Sequence, residues 1–486
     1  MDPRTPVLVG AGRVTQHDDD ATRALEAVDL MVQAADAAVH DSGASRPFSS
    51  VGMVLVPKGI WSYSDPGRLI ADHFGWSGAR TVLAEVGILQ QTPLTRAAEQ
   101  IASGAIDAAL IVGGEAKYRS LRAAITGVEA PETGQDSEPD ELWLSDGDIL
   151  ANVEIERDLA TPAHQYAVIE SALRHADGLT ASAQRERLGS LGASFAAVAA
   201  ADASAWDRSA PSAATITTPT ATNRMMASPY TKLLCSQWNV DQAAALLLTS
   251  VAEAERLGID SSRWIFPLAA ASSEATIHLA ARAELHHSPA TALAFAAALD
   301  HVGLSPAQID HLDLYSCFPA AVQVQARELG IGLERTLTVF GGMTFGGGPL
   351  NNAVLQALAA MVDVLRADPG SVGMVTAVSG MLTKTAVGLW STTAPTRPFR
   401  HVDVTDAARA ATPVRPIDAS ATGRATVVGA TVIHERGVPD RTVVVAELAD
   451  GRRTVVVDGD SGAAAARVDL DLVGQEITIL APGRWA

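Results

Sequence analysis

Tyr315 and Cys317 stand two residues apart in the run Asp313 to Pro319 (DLYSCFP), where an apolar strand gives way to a helix. Mixed α/β folds put ligand sites at such strand ends. A phenol and a thiol placed there are proton-transfer groups if both face a reacting centre. Each has a plainer reading, the tyrosine as the cap of a core strand and the cysteine as a small buried apolar residue. The run Gly341 to Asn352 (GGMTFGGGPLNN) either lets backbone amides polarise a bound carbonyl or simply allows tight turns. Its last residues, Asn351 and Asn352, add side-chain amides or cap the following helix. A third place is the turn at Gly87, followed by Gln90 and Gln91 at a helix start whose free N–H groups suit an anionic oxygen. Arg224 and Lys232 flank a Pro-led segment and are candidate phosphate contacts, whereas Cys235 reads as core. Two cysteines make neither a disulfide framework nor a zinc site, and no metal is expected.

The elements that must hold these residues follow from periodicity. Residues 5–115 alternate strand and helix signals: a strand over 6–12, a helix over 21–42, strands over 51–56 and 82–86, a helix over 92–103 and a strand over 108–112. That alternation predicts a mixed α/β layer with buried parallel strands. A less regular region runs over 117–222 and includes an acidic loop, 129–148, with prolines and glycines. The α/β texture returns from Asn223, with a largely apolar stretch at 241–250 (DQAAALLLTS) that reads as a buried strand or helix turn, and closing strands at 371–379 and 385–390. A Pro-containing linker is expected at 393–400. Beyond it, short β-rich runs with no helix of useful length predict a small barrel of the oligonucleotide/oligosaccharide-binding (OB) type over 401–486.

With 486 residues the chain exceeds one hydrophobic core, so two or three domains are expected. The net charge of −19 repels nucleic acid and anionic membrane surfaces, and a polyanionic ligand would need a local basic pocket. No run reaches the roughly 18 apolar residues of a membrane-spanning helix. A cytoplasmic protein with free thiols is the natural expectation.

Three stretches together resemble the thiolase superfamily, and most of all its sterol-carrier-protein-type branch. They are Gly87 to Glu115, Pro229 to Leu257, and the pair Asp313 to Pro319 with Gly341 to Ala353. The resemblance covers residues 5–392 and is nearest to the thiolase-like type 1 group, loosely described as acetyl-CoA acetyltransferases with an added C-terminal domain. It implies a five-layered αβαβα sandwich of two similar halves, 1–262 (interrupted by the loop region 117–222) and 263–392, and a homodimer. It also implies a coenzyme A thioester or acyl-carrier substrate, no permanently bound cofactor, and a place in lipid metabolism.

The departures from the family pattern matter more. Counting back from Gly104, the nucleophilic cysteine falls on Gly87, and no residue from Gly87 to Gln91 offers a hydroxyl or thiol for an acyl-enzyme. The activating histidine of the family's Gly-His-Pro loop is Gly348. Val378, Ser379 and Gly380 stand where a second acid/base thiol would be, leaving Cys317 from the usual set, with Tyr315 in place of a histidine. The resemblance then implies either a carbon–carbon lyase or acyltransferase working without a covalent acyl-cysteine, or a non-catalytic thioester-binding scaffold that acts with a partner enzyme.

Overall fold

The computed structural model describes residues 1–49 and 51–485. Its first sheet is organised around Asp241–Ser250, whose residues are all buried. A strand covered on both faces needs a continuous apolar run rather than alternation, and DQAAALLLTS nearly provides one. Pro6–Gln16 and Ala108–Ala116 flank it, both antiparallel; Met53–Pro57, Arg80–Ala84 and the short Glu141–Trp143 then continue parallel to Ala108–Ala116.

The second sheet repeats this order and sense. Phe266–Ser273 pairs antiparallel with Lys384–Ser391, that strand pairs antiparallel with Val372–Ser379, and His311–Asp313 runs parallel beside the last. Helices Gln91–Ala102 and Ala353–Ala367 each touch strands of both sheets and form the middle layer. Ala27–Asp41 and Pro289–Val302 cover the outer faces. The result is the expected five-layered sandwich of two similar halves.

Helical spacing over 164–175 and 184–200 within the insert is realised as helices. Helices Pro162–Ala176 and Ala181–Ala201 follow the acidic loop, and within that loop Glu141–Trp143 joins the edge of the first sheet. Residues 393–400 lead first into strand Arg400–Asp403, which pairs beside Phe266–Ser273, and then into helix Thr405–Ala411. The barrel strands begin at Gly423. Gly423–Glu435, Val438–Leu448, Arg453–Asp458, Glu476–Ala481 and Arg484–Trp485 close in the order one-two-three-five-four, the third and fifth parallel. This is the expected OB-type barrel.

One element inside it differs from the sequence reading. Residues 464–471, expected as a strand, contribute instead to helix Ser461–Arg467. The alanine-rich run favours helix, and the Asp460 side chain caps it by accepting from the amide of Ala463. The barrel is seated on the insert: Ala430 N–H donates to Ser171 Oγ at 2.9 Å, and Arg174 donates to Leu470 O at 2.6 Å.

The two halves are tied by Arg366, near the C-terminus of the second middle helix. Its guanidinium donates to both carboxylate oxygens of Asp41 (2.9 and 2.7 Å), to Val9 O (3.0 Å) and to Arg263 O (2.8 and 3.1 Å). With the side chain only 15% exposed, Arg366→Met takes the guanidinium from the carbonyls of Val9 and Arg263 and from the Asp41 carboxylate, which keeps Ala11 N–H and the Arg263 guanidinium. The expected loss is about 3 kcal/mol, read as a lower urea midpoint at unchanged slope. A change under about 0.5 kcal/mol, the range of ordinary surface substitutions, would show that the clamp carries no stability.

Candidate active site

The two middle helices begin against each other. Gln90, just before the first, accepts from Val354 N–H at 2.8 Å through Oε1 and donates to Leu350 O at 3.4 Å through Nε2. Its amide therefore bridges the helix starts instead of entering a pocket. Gln91 is buried and donates to Thr95 Oγ1 at 3.4 Å. Asn352 occupies the N-cap position of Ala353–Ala367 without a side-chain capping bond. Neither amide atom of buried Asn352, nor Nδ2 of Asn351, nor Oε1 of Gln91 has a hydrogen-bond partner among the described residues. The seam thus keeps free amide groups at the junction of the two halves.

The positions that depart from the family pattern are filled by other segments. Gly87 has φ of +103°, and a Cβ there would lie 2.8 Å from both Cβ and Oγ of Ser145. The register explains the meeting: Ala84 pairs with Trp143, Glu85 N–H donates to Trp143 O at 2.9 Å, and the next turn brings Ser145 over Gly87. Behind Ser145 lies Lys384, 1% exposed, at the start of strand Lys384–Ser391. A Cβ on Gly348 would likewise meet Ser236 Oγ at 2.4 Å. Ala199 and Phe195 of the insert press on Gly341 and Gly342, so those glycines serve helix packing.

Tyr315 and Cys317 come together with Tyr166 and Cys235. Tyr315 N–H donates to Thr376 Oγ1 at 2.8 Å, and its carbonyl accepts from Gln325 Nε2 at 2.9 Å. Burial raises the phenol of Tyr315 above its ordinary range, with the neighbouring Cys317 adding to the shift. Burial also pushes the Cys317 thiol up to about 12, against an opposing contribution from the Tyr166 hydroxyl. Tyr166 stacks on Phe318 with ring centroids 4.8 Å apart. Both Tyr315 and Cys317 are therefore protonated at neutral pH. Asp313 is pushed up to about 7 by burial and accepts from Thr338 Oγ1 and Val339 N–H, each at 2.9 Å, which anchors the glycine-rich loop.

That loop, the Tyr315–Cys317 turn and the segment at Cys235 are stitched together. Ser236 N–H donates to Cys317 O, Gln237 N–H to Met343 O, and Gly348 N–H to Gln237 O, at 3.0, 2.9 and 2.9 Å. Alongside opens a cleft of about 470 Å³. Arg224, Lys232, Cys235, Ser236, Gln237 and Trp238 are among its walls. Lys117 stacks its ammonium 5.3 Å from the centroid of a Trp238 ring. The chain has four lysines, and two of them border this cleft. A thiol floor with cations and indole at its rim suits a ligand with an apolar or thioester end and an anionic one.

Two chemically able groups escaped the sequence reading. Lys384 had a signal, a lone lysine in an apolar strand of a lysine-poor chain. Glu115 had none beyond following Gly113 and Gly114. It ends strand Ala108–Ala116, accepts from Ile60 N–H at 2.8 Å, and is pushed up to about 7 by burial. No group of three or more metal-ligating side chains occurs among the described residues, and no helix is long and apolar enough to cross a membrane.

No protein-family model matches the chain, and no curated protein does. Among solved structures it is similar to a monomeric SCP2-thiolase-like protein type 1 from Mycobacterium smegmatis, at 28% identity, with 100% of both chains covered and a TM-score of 0.83. The dimeric peroxisomal thiolase of Saccharomyces cerevisiae is similar at 15% identity and a TM-score of 0.58, covering 80% of this chain and 98% of its own. The Ltp2-ChsH2(DUF35) aldolase is similar at 19% identity and 0.59, covering 81% and 99%. The last two likenesses are of fold alone.

Glu115 also makes stability depend on pH. Its folded pKa lies above its unfolded value, so between about pH 4.5 and 7 the folded chain binds more protons and stability falls as pH rises. Glu115→Gln, 3% exposed in its native form, removes the cost of ionisation. The variant is expected to gain on the order of 2 kcal/mol over the native chain at pH 8 relative to pH 4.5, measured by urea unfolding. Equal differences at the two pH values would show that the carboxyl ionises freely.

Proposed function

The chain is a relative of the thiolase superfamily, and on that footing we propose that it binds an acyl thioester of coenzyme A or an acyl carrier and makes or breaks a carbon–carbon bond, or moves the acyl group, without a covalent acyl-cysteine. The observation that carries this reading is the cleft at Arg224 and Lys232, which runs past Cys235 beside the turn holding Tyr315 and Cys317. The cations would meet the anionic end of coenzyme A, which so acidic a protein must otherwise repel. The thioester end would lie toward the thiols. Tyr315 and Cys317, held protonated by burial, would give protons to the oxygen or carbon left negative by bond cleavage.

A second reading has its own support. Ser145 and Ser236 take up the space beside Gly87 and Gly348, which suits a protein that holds a thioester for a partner enzyme rather than turning it over.

Incubation with a panel of β-hydroxyacyl and β-ketoacyl coenzyme A thioesters separates the two. Turnover by the native protein favours the enzyme, and binding without turnover across the panel favours the scaffold. Tyr315→Phe is expected to lower kcat by roughly a hundredfold or more at unchanged Tm. Full activity in that variant would remove Tyr315 from the mechanism.

A further inference from the structure

We propose that Ser145 is an oxyanion-binding hydroxyl, held and polarised by the buried Lys384 in the space that Gly87 leaves empty. The inference rests on the thioester reading above and adds the group that would hold the thioester oxygen.

Donor counting fixes the direction of each hydrogen bond. Lys384 Nζ lies 2.7 Å from Ser145 Oγ, 3.1 Å from Glu274 Oε2 and 3.4 Å from Gly87 O. An amine offers three donors only as an ammonium, and three acceptors surround this one. Ser145 Oγ must therefore accept from Lys384, and its own hydrogen is left to point elsewhere. A hydroxyl that accepts from a cation is a stronger donor than a free one. Ser145 is half-buried while the Lys384 side chain behind it is 1% exposed, so of the two only the serine presents exposed surface to a ligand.

Placement supports the same role. A Cβ on Gly87 would sit 2.8 Å from Ser145 Oγ, so the hydroxyl occupies the volume that a longer residue 87 would fill. Helix Gln91–Ala102 begins just beyond, with its first N–H groups uncommitted within the helix. In the step envisaged, a C–H bond on the carbon beside the thioester breaks, its proton passes to solvent and its electron pair moves onto the carbonyl oxygen. Ser145 donates a hydrogen bond to that oxygen, keeps its proton and forms no bond to carbon. Lys384 acts through Ser145 and is a positioning residue.

Acetoacetyl-CoA tests this directly, because its enolate has an ultraviolet band and forms by losing a proton to solvent with no further co-reactant. With the full-length native protein, bound acetoacetyl-CoA should ionise at least about tenfold more readily than in water, seen as an enolate titration displaced to lower pH. Ser145→Ala and Lys384→Met should each lose that displacement while still binding the ligand in calorimetry. If Lys384→Met does not fold, Ser145→Ala alone decides. A native titration in Ser145→Ala overturns the proposal. So does an acyl ester on Ser145 found by mass spectrometry, since the serine would then be a nucleophile. Binding to the native protein without any displacement overturns this inference only, whereas no binding at all overturns the thioester reading and this inference with it.

Discussion

The structure depends on two helices buried between two sheets. Gln91–Ala102 and Ala353–Ala367 are cut off from water along much of their length, yet the first amides of each have no partner within the helix. Gln90 satisfies part of that demand by joining the first helix to Val354 and Leu350 at the start of the second. Arg366 closes the other end of the second helix onto Val9, Asp41 and Arg263. Unpartnered amide atoms gather at this seam, the donors Asn351 Nδ2 and Asn352 Nδ2 and the acceptors Asn352 Oδ1 and Gln91 Oε1.

Close packing then decides what happens when side chains are absent. An interior at organic-crystal density does not keep holes the size of an imidazole or a thiol. Here two serines from distant segments move in, Ser145 from the acidic loop and Ser236 from the run before Asp241. Both serines bring hydroxyls to positions where the family resemblance implies a thiol and an imidazole. One of those hydroxyls is backed by the Lys384 side chain, whose amine meets three acceptors. Burial acts oppositely on Tyr315 and Cys317, keeping both neutral.

The insert links these centres to the barrel. Its first part carries Ser145 to Gly87, its helix Pro162–Ala176 brings Tyr166 to Cys317, and the same helix seats the barrel through Ser171 and Arg174. The insert thus touches the turn at Gly87, Cys317, the glycine-rich loop and the barrel.

Much of the fold was legible in the sequence because burial leaves a local mark. Apolar runs announced strands such as Ala108–Ala116 and marked 241–250 as buried, strand or helix turn, and the change of texture after Trp390 announced the barrel. Tyr315, Cys317, Gly87 and Gly348 could be named because they lie in short motifs of fixed spacing. The remainder has no local mark. Nothing near Ser145 in the chain indicates Lys384, which lies 239 residues away, and nothing in a run of glutamines tells whether Gln90 faces a ligand or another helix. Helix Ser461–Arg467 was missed because its alanine-rich run (SGAAAAR) carries no hydrophobic period of either kind. The sequence by itself determined the elements and which reactive groups were missing. Only the tertiary structure decided what replaced them, because a vacated volume is filled by whichever side chain packing and register bring to it.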